Sequence, residues 1–337
     1  MVYMKALITG GAGFLGRKLA RALLDEGHEV RLLVRKIPSE KPAPGEPAEL
    51  QSMPVSYQLG DLADEASLEA ACQGMDWVFH AAGVISYNPK KADLMYRTNV
   101  IGTRNVCTAA LAAGVKRLVF TSSTAAIGVN EDPSTPMRED TPFNARRLGL
   151  AYFDTKFDAE EEVRAAVKKG LDAVIVNPGS LMGPGDTRRY EKGYVGLIYK
   201  YKPPVRFHGG INFVDVNDVV KGHLLALKKG RTGERYILGG ESLTYGALIE
   251  RVNKLIGRKA PKATVPRFFM GMLAQGIRGL NLFGVDIHMT PELVRQVADW
   301  YLYVDSEKAK KELGYQPHSI DEAVLSTVTW LKGLGRI

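Results

Sequence analysis

The chain has 337 residues, with 45 Lys+Arg against 37 Asp+Glu for a formal net charge of +8, and is 45% apolar and 24% charged. That balance excludes a disordered or collagen-like chain, and the length suffices to hide roughly three quarters of the extended surface in one large domain with a lobe or in two domains. Two cysteines, Cys72 and Cys107, stand far apart with no His or second Cys at ligand spacing, so neither a disulfide framework nor a metal centre is expected and a reducing, cytoplasmic setting fits.

Up to about residue 180, short β-branched runs alternate with segments of helical period, the pattern of repeated βα units and a parallel sheet. The spacing predicts strands at 5–9, 29–34, 55–59, 77–80, 117–121 and 173–177. Helices are predicted over 14–26, 66–73, 93–113 and 152–169, closed by Gly27, Gly74, Gly114 and Gly170. No apolar stretch of signal-peptide length precedes the first strand. The segment 37–54 carries five prolines and Gly45, and reads as a solvent-exposed connection. The fold class is therefore α/β, a doubly wound parallel sheet over residues 1–180.

Beyond residue 180 the rhythm changes, with a turn at Gly183-Pro184-Gly185, a strand at 213–216, a helix over 217–228 and a strand at 235–238. Residues 181–337 read as a smaller mixed α/β substrate-binding lobe with segments that return to the sheet. The most apolar late window, 268–285, is broken by Gln275, Arg278, Asn281 and glycines, and falls short of the ~18 to 20 residues of a membrane span. It reads as a pocket lid or a buried amphipathic segment, with Phe268, Phe269 and Met270, and Leu280 to Phe283, as apolar walls of a binding site. A final helix over 320–332 starts at a Ser319 cap. Lys and Arg occur singly or in pairs, such as Arg146-Arg147 and Lys228-Lys229, which argues against a nucleic-acid partner.

After the first strand comes Gly10-Gly11-Ala12-Gly13-Phe14-Leu15-Gly16, which satisfies both G-x-x-G-x-x-G and G-x-G-x-x-G. Glycines allow a tight turn and close approach of backbone to a pyrophosphate, and the following helix aims its N–H groups at the anion. An acid at the end of the second strand would hold the ribose hydroxyls of NAD. Here Val34 is followed by Arg35 and Lys36, cations that suit a 2′-phosphate and point to NADP(H), with NAD as the alternative. Asp61 and Leu62 after the third strand, and Ala81, Ala82 and Gly83 after the fourth, fall where a dinucleotide would pass.

Tyr152 and Lys156 share a helix face at a spacing of four. An ammonium beside a phenol stabilises its anion and lowers its pKa, which makes the pair a competent general acid or base for a carbonyl or alcohol.

The glycine turn, Gly60-Asp61-Leu62, His80-Ala81-Ala82-Gly83, Asn99, Thr121-Ser122-Ser123, Tyr152-x-x-x-Lys156 and Asn177-Pro178-Gly179 come in an order that resembles the extended short-chain dehydrogenase/reductase superfamily. The likeness covers nearly the whole chain and implies a Rossmann-type sheet. It implies Tyr152 as acid/base, Lys156 on the nicotinamide ribose, Ser123 on the substrate oxygen, and Asn99 as a structural and proton-relay residue. Ser122 and Thr124 compete with Ser123 for its role. Thr121, Pro178, Gly179 and Ser180 fall on the cofactor, and a homodimer through helices 93–113 and 152–169 is a common arrangement in that superfamily.

Sugar-nucleotide members of the superfamily hold a diphosphate with arginines. The corresponding places here carry 177–184, Asn-Pro-Gly-Ser-Leu-Met-Gly-Pro, and Ile211, with Arg188, Arg189 and Arg206 as possible substitutes. An uncompensated buried diphosphate is very costly. The stretch 212–240 looks most like dihydroflavonol 4-reductase-like and hopanoid-associated sugar epimerase-like bacterial proteins. The expected activity is hydride transfer between NADP(H) and a carbonyl or secondary alcohol of a fairly apolar small molecule. Sugar or sugar-nucleotide epimerisation or dehydration is the alternative, followed by a non-catalytic dinucleotide-binding redox sensor.

Overall fold

In β1 (Lys5–Thr9) successive apolar side chains serve opposite faces: Ala6 and Ile8 join one core cluster and Leu7 another, the period-two geometry of a strand covered on both sides. The same division runs through β2 (Glu29–Val34), where Val30, Leu32 and Val34 oppose Leu33. The computed structural model, which describes residues 3–38, 48–186, 193–282 and 291–337, continues the sheet with β3 (Ser56–Leu59), β4 (Trp77–His80), β5 (Arg117–Thr121) and β6 (Ala173–Pro178). After the short β7 (Ser180–Met182) and β8 (Gly210–Asp215), β9 (Arg235–Leu238) returns to its edge. All seven strands are parallel, in the order β3-β2-β1-β4-β5-β6-β9. The order reverses between β1 and β4, which opens a crevice at their carboxyl ends, beside Thr9 and His80.

Helices cover both faces. In chain order these are α1 (Phe14–Asp25), α2 (Glu65–Cys72), α3 (Ala92–Met95), α4 (Gly102–Ala112), α5 (Ala151–Lys168), α6 (Tyr194–Tyr201) and α7 (Val216–Lys229). Leu19 and Leu23 of α1 and Val219 and Leu227 of α7 fill one side, while Leu68, Val106 and Val163 of α2, α4 and α5 fill the other. A second, smaller sheet is centred on β8, with β10 (Glu241–Thr244) antiparallel to it and β7 and β11 (Tyr301–Leu302) parallel. On its side lie α8 (Tyr245–Leu255), α9 (Arg267–Leu282), α10 (Pro291–Ala298) and α12 (Ile320–Gly333), while α11 (Glu307–Leu313) returns to the main sheet, its Ala309 and Leu313 joining the core beside α7 and β9. Phe213, Leu248 and Val324 are fully buried between the smaller sheet and α8 and α12.

The expected strands at 5–9, 29–34, 77–80 and 117–121 form as read, and Ser319 caps α12 by accepting from the Asp321 amide. Three differences have physical causes. The helix expected over 93–113 is interrupted by a π-helical segment, Tyr96–Ile101, around Asn99. The proline-rich connection is not wholly exposed: residues 39–47 lie outside the described residues, but Leu50 and Met53 are buried in the main core. β7, β10 and β11 are two to four residues long, too short to carry an alternation that sequence could show. Among the described residues no helix is long and apolar enough to cross a membrane.

Candidate active site

The glycine turn is set by backbone-to-backbone packing. Gly10 has φ +71°, and a Cβ on it would lie 2.7 Å from the Ala82 nitrogen; one on Gly16 would overlap the Gly10 carbonyl oxygen. These contacts seat the start of α1 against the end of β4. Gly13 caps α1 in extended conformation and offers no side chain, so the first-turn N–H groups face the crevice uncapped. A phosphate matches such a helix start in both charge and hydrogen bonding.

Above the turn lies a cleft of about 740 Å³. It brings together Gly13, Phe14, Leu15, Ala81, Ala82, Gly83, Thr121, Ser123, Tyr152, Lys156, Pro178, Gly179 and Ser180 from the sequence reading. Gly10 and Gly16 shape the turn beneath it, and Asn99 stands behind it. Arg35, Lys36 and Asp61 are exposed beyond the ends of β2 and β3. Leu62 is a core side chain packed on Gly102, and its carbonyl accepts from Asn105.

α5 presents Tyr152 half-buried in the cleft and, one turn on, Lys156 buried with only a small part of its surface open to the cleft. Burial pushes the Lys156 amine down to about 8, against the pull of the nearby Glu160 carboxylate. Its Nζ donates to the Thr121 carbonyl at 2.8 Å and lies 4.7 Å from the Phe120 ring centroid. Ser123 Oγ accepts from the Ala125 amide at 3.1 Å, which leaves its hydroxyl hydrogen to donate. Ser122 is committed elsewhere, donating to Glu160 at 2.6 Å, and Thr124 is buried, so Ser123 is the most accessible of the three. The Asn99 side chain accepts from the Val84 amide at 2.8 Å and donates to the Val84 carbonyl and to Thr155 Oγ1. It thus ties the cleft wall to α5.

Several groups beneath the site escaped the sequence reading. Glu160 has no exposed surface; one oxygen accepts from Ser122 and Asn177, both at 2.6 Å, and the other from Arg164 at 2.9 Å and Arg235 at 3.1 Å. Its one sequence signal is its position four residues beyond Lys156, in register with Tyr152. His223 is buried, and its Nδ1 donates to the Val219 carbonyl, so Nε2 accepts from Thr121 Oγ1 at 2.9 Å. Arg17, nearly fully buried, donates to the Ala12 carbonyl in the glycine turn and to the Gly185 carbonyl after β7, so it joins the two halves of the cleft. Phe268 and Phe269, expected in an apolar wall, are exposed and do not line the cleft, because the phase of α9 turns Met270, Ala274 and Ile277 inward instead. The side chains of Leu280 to Phe283 lie outside the described residues.

A switch-point crevice with an uncapped glycine turn and a Tyr-Lys helix above it defines a dinucleotide-dependent oxidoreductase of the short-chain type. The chain belongs to the NAD dependent epimerase/dehydratase family, whose sequence pattern matches residues 6–239. It is 36% identical over 338 residues, 98% of this chain and 95% of the other, to a Synechocystis sp. protein named "Putative dihydroflavonol 4-reductase". It is 32% identical to sterol demethylase protein B of Methylococcus capsulatus, covering 99% and 100% of the two chains. Among solved structures, the crystal structure of gox2253 matches with a TM-score of 0.84 and 33% identity over 98% of this chain and 99% of that one.

Glu160→Gln keeps the side chain's shape but removes the shared anionic partner of Arg164 and Arg235. It is expected to lower the unfolding free energy by about 3 kcal/mol. Urea titration checks this, and an unchanged midpoint would mean that the network contributes nothing.

Proposed function

We propose that the protein is an NADPH-dependent reductase of an aldehyde or ketone group on a fairly apolar small molecule. The observation that carries this reading is the cleft lining: among the described residues its only charged members are Lys156 and Asp186, amid Ile85, Val195, Leu197, Ile211, Leu302 and Trp330. A diphosphate would need paired cations there. Ile211 lines the wall instead, and Arg206 is held elsewhere by Glu250 at 3.0 Å and by the Pro261 carbonyl. Arg188 and Arg189 lie outside the described residues. The dihydroflavonol and sterol named for the two relatives point to the same kind of substrate.

When bound, a reduced nicotinamide supplies a hydride to the substrate's carbonyl carbon. The α1 N-terminus, Ala81 to Gly83 and Pro178 to Ser180 are suited to hold the dinucleotide, with Arg35 and Lys36 toward a 2′-phosphate. Ser123 donates a hydrogen bond to the carbonyl oxygen, and Tyr152 delivers the proton that completes the alcohol. Lys156 stabilises the phenolate left behind, and Asn99 positions α5 through Thr155.

Mass identification of bound nucleotide and a panel of carbonyl compounds test the reaction, with net NADPH oxidation expected. An epimerase would retain cofactor and consume none. Tyr152→Phe should keep cofactor affinity and lose about 10²- to 10⁴-fold in turnover; unchanged turnover would refute the Tyr152 assignment. Arg35→Ala should weaken NADPH relative to NADH by about 10- to 100-fold, the value of a charge-assisted contact; equal losses for both cofactors would remove Arg35 from the phosphate. Turnover in the reductive direction should fall as pH rises through about 8, where Lys156 gives up its proton; a flat profile to pH 10 or so would contradict the role given to its charge.

A further inference from the structure

The helix α9 is apolar on two faces, and among the described residues the fold covers one of them. Met270, Ala274 and Ile277 pack against Val294 and Ala298 of α10. On the other side Phe268 is 72% exposed, Phe269 59%, Met272 56% and Leu273 48%. At 100° per residue the pairs 268/272 and 269/273 form two adjacent rows, turned away from the buried row. A contiguous patch of two phenylalanines, a methionine and a leucine on one helix face marks an interaction surface.

The charge around it names the partner. Between Glu250 and Asp286 the sequence holds seven Lys and Arg and no Asp or Glu. Arg251 is tied to Glu241 and Asp321, and Arg258 donates to the Tyr199 carbonyl and stacks on its ring. Arg267 pairs with Asp299 and donates to the Tyr301 hydroxyl, while Lys254, Lys259 and Lys262 are exposed in the segment leading to Phe268. We propose that the exposed face of α9, with the basic segment leading into it, docks on the surface of an anionic phospholipid membrane, the apolar side chains entering the headgroup boundary and the cations meeting lipid phosphates. The helix lies in the interface rather than across it, since 16 residues extend about 24 Å against a hydrocarbon core of about 30 Å. A second copy of the chain is a poorer occupant, because a two-fold contact sets a patch against itself and would bring like cations together. The inference rests on this face and its charge, independently of the reductase reading, although an apolar substrate would be concentrated at the same surface.

The test is cosedimentation of the full chain with vesicles of phosphatidylglycerol and phosphatidylcholine, or of phosphatidylcholine alone. Binding to the anionic vesicles, weak binding to the neutral ones and release by added salt are expected. Phe268→Ser with Phe269→Ser, and separately Lys259→Glu with Lys262→Glu, should each cut the bound fraction at least about tenfold while leaving the thermal midpoint and cofactor affinity unchanged. Wild-type protein that stays in solution with anionic vesicles at low salt would overturn the proposal, as would variants that bind like wild type. A dimer by light scattering that the serine pair dissociates, without vesicle binding, would overturn it in favour of self-association. Reduction of a water-soluble carbonyl compound by the variants reads the catalytic proposal separately.

Discussion

The carboxylate of Glu160, enclosed beneath the cleft, draws four donors from four different elements. Ser122 reaches it from beyond β5, Asn177 from β6, Arg164 from the next turn of α5, and Arg235 from the edge strand β9. Burying a charge without such partners is prohibitive, and a buried carboxylate therefore holds every element that supplies one. Asn177 extends the effect by donating also to the Ser123 carbonyl at 2.9 Å, so the residue facing the cleft is fixed by a side chain that never enters it. Lys156 sits one turn closer to the cleft on the same helix. It is shielded enough for burial to lower its pKa and near enough to Glu160 to keep part of its preference for charge.

Two buried histidines act as neutral struts around that centre. Burial pushes His80 down to about 3 and His223 to about 4, so neither carries charge at neutral pH. The Thr103 hydroxyl gives its one hydrogen to the Asn99 carbonyl, so His80 Nε2 must donate to Thr103 and its Nδ1 must accept from Thr9. The chain of bonds runs from the last residue of β1 to the π-helical segment at Asn99. His223 does the same from α7 to Thr121, whose carbonyl receives the Lys156 ammonium. These struts add to the Asn99–Thr155 bond that already ties the Asn99 segment to the Tyr-Lys helix, and they fix orientation where apolar packing sets mainly separation.

Most strands of the main sheet could be read from sequence because they are buried on both faces and bounded by Gly or by a polar turn, so composition and length mark them without any knowledge of their neighbours; the edge strand β3 has no buried residue and is marked only by its place in the alternation. The Tyr152, Lys156 and Ser123 cluster was legible through resemblance, and the glycine turn through the steric need for small residues. Glu160 was not, since an acid at that register on a helix looks like a solvated surface charge until Arg235, 75 residues away, is known to lie beside it. The π-helical break at Asn99 has no local signal, as it depends on Val84 and Thr155 arriving from other elements. The apolar window at 268–285 was read as a wall or lid on composition alone. Which of its apolar faces turns inward is decided by α10, and the face left out carries Phe268 and Phe269.

Charge is segregated across the molecule in a way that the net +8 conceals. Inside the cleft the described cation is Lys156, committed to the Thr121 carbonyl. Many other arginines are spent on carboxylates, as in the bidentate Arg104–Glu162 and Arg231–Glu312 pairs, where exposure keeps each contribution small. Exposed cations without an ion-pair partner among the described residues include two groups that bear on binding: Arg35 and Lys36 beyond β2, and Lys254, Lys259 and Lys262 leading toward α9. The first lies just beyond the carboxyl end of β2, the strand paired with β1. The second borders an apolar helix face with no pyrophosphate cradle near it. The described lining of the cleft carries one cation, whereas the exposed cations and apolar side chains of α9 lie outside it; a cavity that held a diphosphate would need paired cations among its own lining residues.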